Sequence, residues 1–277
     1  MNIRKLGIGT VQFGFDYGIS NKRGQTNEEE IKKILKTAQV NGIRYIDTAS
    51  AYGNAELVLG KQNLREFRVI SKFLISDKNE TISNSLNKSL NNLKLDELYG
   101  YLAHRPLSLL ENESYWEELN QLKLNGLIEK IGFSLNEPKE LDRLLDKGYF
   151  PDLVQVPFNY FDRRFEAGIK DLRERGCEIH TRSAFLQGLF FMNPEDLNVF
   201  FDEIKPNLYE VQKLNESLPH ALLNFVLEKE YVDQVIIGVE NNDQLLQNLN
   251  SSTSTKKLKN IKFNFSEKFL MPMYWPK

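Results

Sequence analysis

The chain has 277 residues, a formal net charge of -2, 41% hydrophobic residues and 27% charged residues. That balance is ordinary for a globular protein and offers no basic surface for nucleic acid or an anionic membrane. A chain this long buries enough surface to fold without staples, and with Cys177 as its one cysteine it has no intramolecular disulfide.

No signal-peptide pattern opens the sequence, and no run of about 18 apolar residues marks a membrane span. With the lone cysteine, this gives the expectation of a cytoplasmic protein. The first strand is expected over 6–13, followed by a helix over 26–42 with Thr26 as N-cap and Gly42 as its end. Strands follow at 44–49 and 68–73, then a helix across 77–93 whose Ile82, Leu86, Leu90 and Leu93 make one apolar stripe. Next come strands at 98–104 and 128–135, a helix over 136–148, a strand at 153–159, a helix over 163–176 and a strand at 178–185. The stretch 207–230 is helical with Pro219 inside it, hence two helices or a kinked one. A strand at 233–239 and a short helix over 241–250 complete the order.

Eight short apolar strands alternating with helices predict a parallel sheet, and eight units in this length fit an α/β (β/α)8 TIM barrel formed by one domain over residues 1–277. A doubly wound dinucleotide fold fits less well. Gly7, Gly9 and Gly14 do not match GxGxxG and lie within the first strand.

In such a barrel the C-terminal strand ends build the active site. Polar residues fall there repeatedly: Asp47 with Tyr52 behind it, Lys72, His104, Ser134, Gln155, then Arg182 and Ser183. A free phenol, with a pKa of roughly 10, is a weak proton donor at neutral pH, and a neighbouring ammonium favours its ionised form. Asp47 would orient Lys72, Lys72 would tune Tyr52, and His104 would bond a substrate oxygen. Each residue also has a plainer reading. Asp47 suits a turn or a helix N-cap, Tyr52 a rim aromatic, Lys72 a solvated cation and His104 a loop histidine. His180 and His220 lack metal-ligand spacing, so no metal site is expected. Cys177 is read as a buried, inert thiol.

The segments RYIDTASAYGNAELVLGK, RVISKF, YLAHRP, KIGFSL and DLVQVPFN, in that order, resemble the aldo-keto reductase superfamily from about residue 6 to about residue 250. The resemblance implies a barrel that reduces aldehydes or ketones with NAD(P)(H). By motif match the family's tetrad falls on Asp47, Tyr52, Lys72 and His104, and contacts to the nicotinamide carboxamide on Ser134 and Gln155. A capping hairpin before the first strand looks absent or short. Leu135 stands where the family often has Asn, and Asn136, one position on, is expected to point elsewhere. Arg182 stands where many members stack a tyrosine on the nicotinamide. It is expected to lie flat on that ring, to pair with the pyrophosphate, or to bridge rim carboxylates. At the adenosine end the family's lysine and arginine fall on Gly238 and Gln244, Glu240 faces the ribose, and Asn248 meets the adenine. A carboxylate beside the 2′-hydroxyl favours NAD over NADP.

Phe15, Asp16, Tyr17 and Arg23 in the first loop, and Met273, Tyr274 and Trp275 in the tail, are candidate pocket walls. The plainer reading of the tail is packing against the barrel side. Asn159, Asp162 and Arg163 would suit a hydroxylated ligand, and YGISNKRG and RSAFLQG resemble members encoded with surface-sugar genes. The expected partner is therefore a small carbonyl or sugar-like substrate, with no nucleic acid and no membrane, for a monomer or small homo-oligomer. Two alternatives stand beside the reductase: a nucleotide-binding, redox-sensing regulatory subunit with slow turnover, and an internal redox step with the dinucleotide recycled in place.

Overall fold

The computed structural model describes residues 3–75, 80–214, 218–250 and 257–276. Eight parallel strands close into a barrel in chain order: β1 Leu6–Gly9, β2 Tyr45–Asp47, β3 Arg68–Phe73, β4 Leu98–Ala103, β5 Ile128–Ser134, β6 Leu153–Pro157, β7 Glu178–Arg182 and β8 Gln234–Gly238. β8 returns to β1, with Leu6 opposite Val235 and Gly9 opposite Gly238. All residues of β4 and β6 are buried, as expected of parallel strands covered on both faces.

The helices are α1 Val11–Gly14, at the barrel mouth, then α2 Glu28–Val40, α3 Ala55–Leu59, α4 Ile82–Leu93, α5 Ser114–Leu124, α6 Pro138–Asp146, α7 Glu166–Glu174, α8 Lys205–Gln212, α9 Leu218–Leu227 and α10 Asn242–Leu249. The stripe of α4 is buried as the spacing requires, while its expected start at 77–79 lies outside the described residues. Pro219 sits in the first turn of α9, where its missing N–H costs nothing, so the long helical stretch is two helices.

Three expectations need correction. The first strand ends at Gly9, because α1 begins at Val11 and turns the chain across the barrel mouth. Asn27, not Thr26, caps α2: its side chain accepts from Glu30 N at 2.9 Å, while the Thr26 hydroxyl donates to the Glu240 carbonyl. Helix α5 had no counterpart in the sequence reading.

At the N-terminal end of the barrel, Glu178 gathers Tyr99 Oη at 2.6 Å, Lys130 Nζ at 2.7 Å and His180 Nε2 at 2.6 Å. Burial alone would raise the Glu178 pKa, but these donors outweigh it and hold it down at about 2. This end reads as structural, and the C-terminal end carries the candidate site.

Candidate active site

β2 delivers Asp47 to the barrel mouth and β3 delivers Lys72 beside it. Lys72 is fully buried, and its three ammonium hydrogens have three acceptors: Asp47 Oδ2 at 2.7 Å, the Thr48 carbonyl at 2.9 Å and Tyr52 Oη at 3.4 Å. The other carboxylate oxygen of Asp47 accepts from Gln155 Nε2 at 2.6 Å. Thr10 clamps the same strand end, donating from its hydroxyl to the Asp47 carbonyl at 2.9 Å. A buried charge pair is tolerable only when its remaining lone pairs and protons are satisfied, and here they are.

Tyr52 sits in the turn after β2. Gly53 beside it has φ of +56°, which a glycine adopts without strain. Gly14, at the end of α1, comes so close that a Cβ would lie 1.8 Å from the Tyr52 carbonyl oxygen. The two glycines let the chain fold the phenol back over Lys72, whose Nζ is 4.9 Å from the ring centroid. His104, just past β4, meets Tyr52 edge-to-face at 5.7 Å. Burial, followed by the charges of Lys72, Arg182 and Arg105, lowers its pKa to about 3, so the imidazole is neutral over the working pH range. Its Nδ1 is buried without a protein partner.

A cavity of about 990 Å³ opens over this cluster. Asp47, Tyr52, His104, Ser134, Arg182 and Ser183 line one end, and Gly238, Glu240, Gln244 and Asn248 line the other. Lys72 and Gln155 do not reach the wall; they stand behind Asp47, and Gln155 Oε1 is buried without a partner. Ser183 has φ of +65°, held by Asn159 Nδ2 donating to its carbonyl at 3.0 Å.

Several wall residues were not foreseen. Asn136 lines the cavity, because the chain turns after Leu135, which is buried in the core, and its Oδ1 accepts from Arg182 Nη2 at 2.7 Å. Arg182 therefore bridges neutral oxygens, not rim carboxylates. Gln12 also faces the cavity, with Oε1 buried and unpartnered, and a Cβ on Gly238 would come within 2.7 Å of its Nε2. His220 also lines the cavity, near Gln244 and Asn248 of α10, its Nε2 at 2.8 Å from the Gln247 carbonyl. No sequence signal marked Gln12 or His220, since both depend on which way short helices face.

Of the candidate pocket walls, Tyr17 lines the cavity and is bonded by Gln187 Nε2 at 2.6 Å, whereas Phe15, Asp16 and Arg23 do not line it. Trp275 packs edge-to-face on Phe201 at 5.3 Å, and neither it nor Met273 or Tyr274 lines the cavity. Asn159 and Asp162 are fully buried, Asn159 bonded to its own loop and to the Ser183 carbonyl and Asp162 to Asn159 and Arg164, and Arg163 ties down Asn260 and Ile261 of the tail, so none of the three lines the cavity. Cys177 is buried, which pushes its thiol up to about 12. Among the described residues no group of His, Cys, Asp or Glu is placed to hold a metal ion, and no helix is long and apolar enough to cross a membrane.

Comparison with known proteins agrees with this geometry. The model of the Aldo/keto reductase family matches residues 5–263. The glyoxal reductase of Bacillus subtilis is 32% identical over 210 residues, 73% of this chain and 71% of that protein. An oxidoreductase of the same organism is 24% identical over 92% of both chains. The match to the methylglyoxal reductase of Salmonella typhimurium, 36% identical, spans 47% of this chain and half (50%) of that protein. Among solved structures, an aldo-keto reductase from Bacillus halodurans superposes with a TM-score of 0.71 at 21% identity, covering 92% of this chain and 88% of that one. With the barrel, the strand-end cluster and a family match over nearly the whole chain, the protein belongs to the aldo/keto reductase family and is an NAD(P)-dependent oxidoreductase.

Proposed function

We propose that the protein reduces an aldehyde or ketone to an alcohol, or runs the reverse reaction, with Tyr52 as proton donor to the oxygen. The observation that carries this reading is the fully buried Lys72, which joins Asp47 Oδ2 at 2.7 Å to the cavity-facing Tyr52 Oη at 3.4 Å. A nicotinamide dinucleotide, when bound, supplies the hydride that reaches the carbonyl carbon. Tyr52 Oη gives its proton to the carbonyl oxygen, and the Lys72 ammonium stabilises the negative charge left on the phenol oxygen. Asp47, held in turn by Gln155 and Thr10, keeps Lys72 aimed. The neutral imidazole of His104 can bond the substrate oxygen without setting a second positive charge beside Lys72.

The cavity fits a dinucleotide. It extends from Tyr52 to α10, lies near the upper end of small-molecule pocket sizes, and exceeds what a small carbonyl compound needs. Ser134 on the wall would meet the carboxamide, with Gln155 behind Asp47 supporting that end of the site, and Gln12 Oε1 is an unpartnered acceptor along the wall. Ser183 would border the middle of the cofactor, with Gly238, Glu240, Gln244 and Asn248 at the adenosine. Among the described residues that end carries a carboxylate and no lysine or arginine, which favours NAD over NADP. The names of the relatives make small dicarbonyls the first substrates to assay. A single buried cysteine suits a cytoplasmic enzyme, acting as a monomer or small homo-oligomer.

The test is a fluorescence titration with NADH and NADPH, paired with single-turnover kinetics of Tyr52→Phe. NADH should bind more tightly than NADPH, and the variant should keep NADH binding while hydride transfer falls by roughly 10²-fold or more. Tighter NADPH binding would overturn the NAD assignment. Binding of neither, or full activity in the variant, would overturn the mechanism.

A further inference from the structure

Arg182 is a cation without a counter-charge inside the cavity. It stands at the end of β7, half-buried, on the wall it shares with Tyr52 and His104. Its guanidinium donates from Nη2 to the Leu135 carbonyl at 3.0 Å and to Asn136 Oδ1 at 2.7 Å, and more weakly from Nη1 to Ser183 Oγ at 3.4 Å. All three acceptors are neutral. Arg164, by contrast, is closed by Asp162 at 2.9 Å and Glu267 at 3.5 Å. Of the carboxylates on the cavity wall, Asp47 is committed to Lys72 and Glu240 lies at the adenosine end. A guanidinium has five N–H donors, so this one keeps free donors for a ligand.

The direction of the side chain matters. From β7 it crosses β6 to reach the loop after β5, and so leans away from β8 and α10. An anion meeting it would lie beside the Tyr52–His104 pair and not along the path toward the adenosine end. The carbonyls of Leu135 and Asn136 fix the plane of the fork, which leaves it pre-organised for a planar or tetrahedral oxyanion.

We propose that Arg182 selects substrate: the carbonyl compound reduced at Tyr52 carries an oxyanion, a carboxylate or a phosphate, that docks on this guanidinium. The proposal rests on the reductase reading and deepens it by naming the substrate class. A fixed cation beside the reacting carbonyl lowers KM for an anionic substrate over its neutral isostere, and the preference weakens with salt as a partly exposed charge pair is screened.

The experiment compares matched aldehydes on the wild-type protein with NADH: 4-carboxybenzaldehyde against 4-formylbenzamide, and glyceraldehyde 3-phosphate against glyceraldehyde. At least one pair should show kcat/KM higher by about tenfold or more for the anion, carried by KM and falling with added salt. Which pair responds tells carboxylate from phosphate. In Arg182→Met that ratio should collapse toward one, and Arg182→Lys should restore part of it. Ratios near one for both pairs in the wild type would overturn the proposal while NADH binding and carbonyl reduction stood. Arg182→Met losing NADH affinity with its ratios intact would overturn it too, assigning the guanidinium to the cofactor's pyrophosphate. If Arg182→Met does not fold, the wild-type ratios and their salt dependence still decide. Failure to bind NADH at all would instead defeat the reductase reading beneath it.

Discussion

Lys72 Nζ lies 2.7 Å from Asp47 Oδ2 in the barrel mouth, with Lys72 fully buried and Asp47 only 4% exposed. Each charge is tolerated because the other is there. Lys72→Met leaves the Asp47 carboxylate buried and unpaired, which should cost about 3–5 kcal/mol of stability. The double variant Asp47→Asn with Lys72→Met should recover part of that loss, because no uncompensated charge remains. Urea unfolding of the two single variants and the double closes the cycle. Additive losses would mean that the pair is not energetically coupled.

His104 gives the protein a defined acid sensitivity. Its imidazole titrates near the ordinary 6.5 in the unfolded chain but only at about 3 in the fold, where burial and nearby cations oppose its charge. Below 6.5 the unfolded chain therefore takes up a proton that the folded chain refuses, and stability falls as the pH drops from 6.5 toward 3. His104→Gln should flatten the pH dependence of stability between about pH 6.5 and 5, above the window in which carboxylates such as Glu178 contribute. An unchanged slope in that variant would place the acid sensitivity elsewhere.

Gly14 should behave as a positioning residue for Tyr52. A methyl there meets the Tyr52 carbonyl at 1.8 Å and the Ala55 amide nitrogen at 3.0 Å, both of them backbone atoms that cannot swing aside. Gly14→Ala should therefore displace the turn that carries the phenol, lowering kcat more than it weakens NADH binding and costing about 1–3 kcal/mol of stability. Gly168→Ala is the contrasting case. It lies in α7 with only Leu141 Cδ2 at 3.4 Å, and should be neutral or slightly stabilising. Equal kcat for Gly14→Ala and wild type would remove the packing argument for the Tyr52 turn.

The eight strands were legible because parallel strands buried on both faces are continuous apolar runs, and because punctuating glycines and caps separate them from amphipathic helices. Helix α5 was not. Its buried Tyr115, Leu119 and Leu122 share their span with Leu124, which is 78% exposed, so the apolar period is blurred. The chain from Leu186 to Phe201 was illegible for a different reason. It is built from short 3-10 turns, with positive φ at Leu186 and Gln187, and such segments carry no period at all.

The sequence by itself determined the barrel and placed Asp47, Tyr52, Lys72 and His104 at one mouth, since strand ends are set by local pattern and the closure of the sheet brings all strand ends together. Only the tertiary structure decided which oxygen each donor meets. Gln155 turns its amide onto Asp47, Asn136 swings into the cavity, and Arg182 reaches across β6 to neutral acceptors. Those choices depend on side-chain directions and on competition among nearby buried partners, which are fixed by packing between strands far apart in the chain and leave no trace in residue type or spacing.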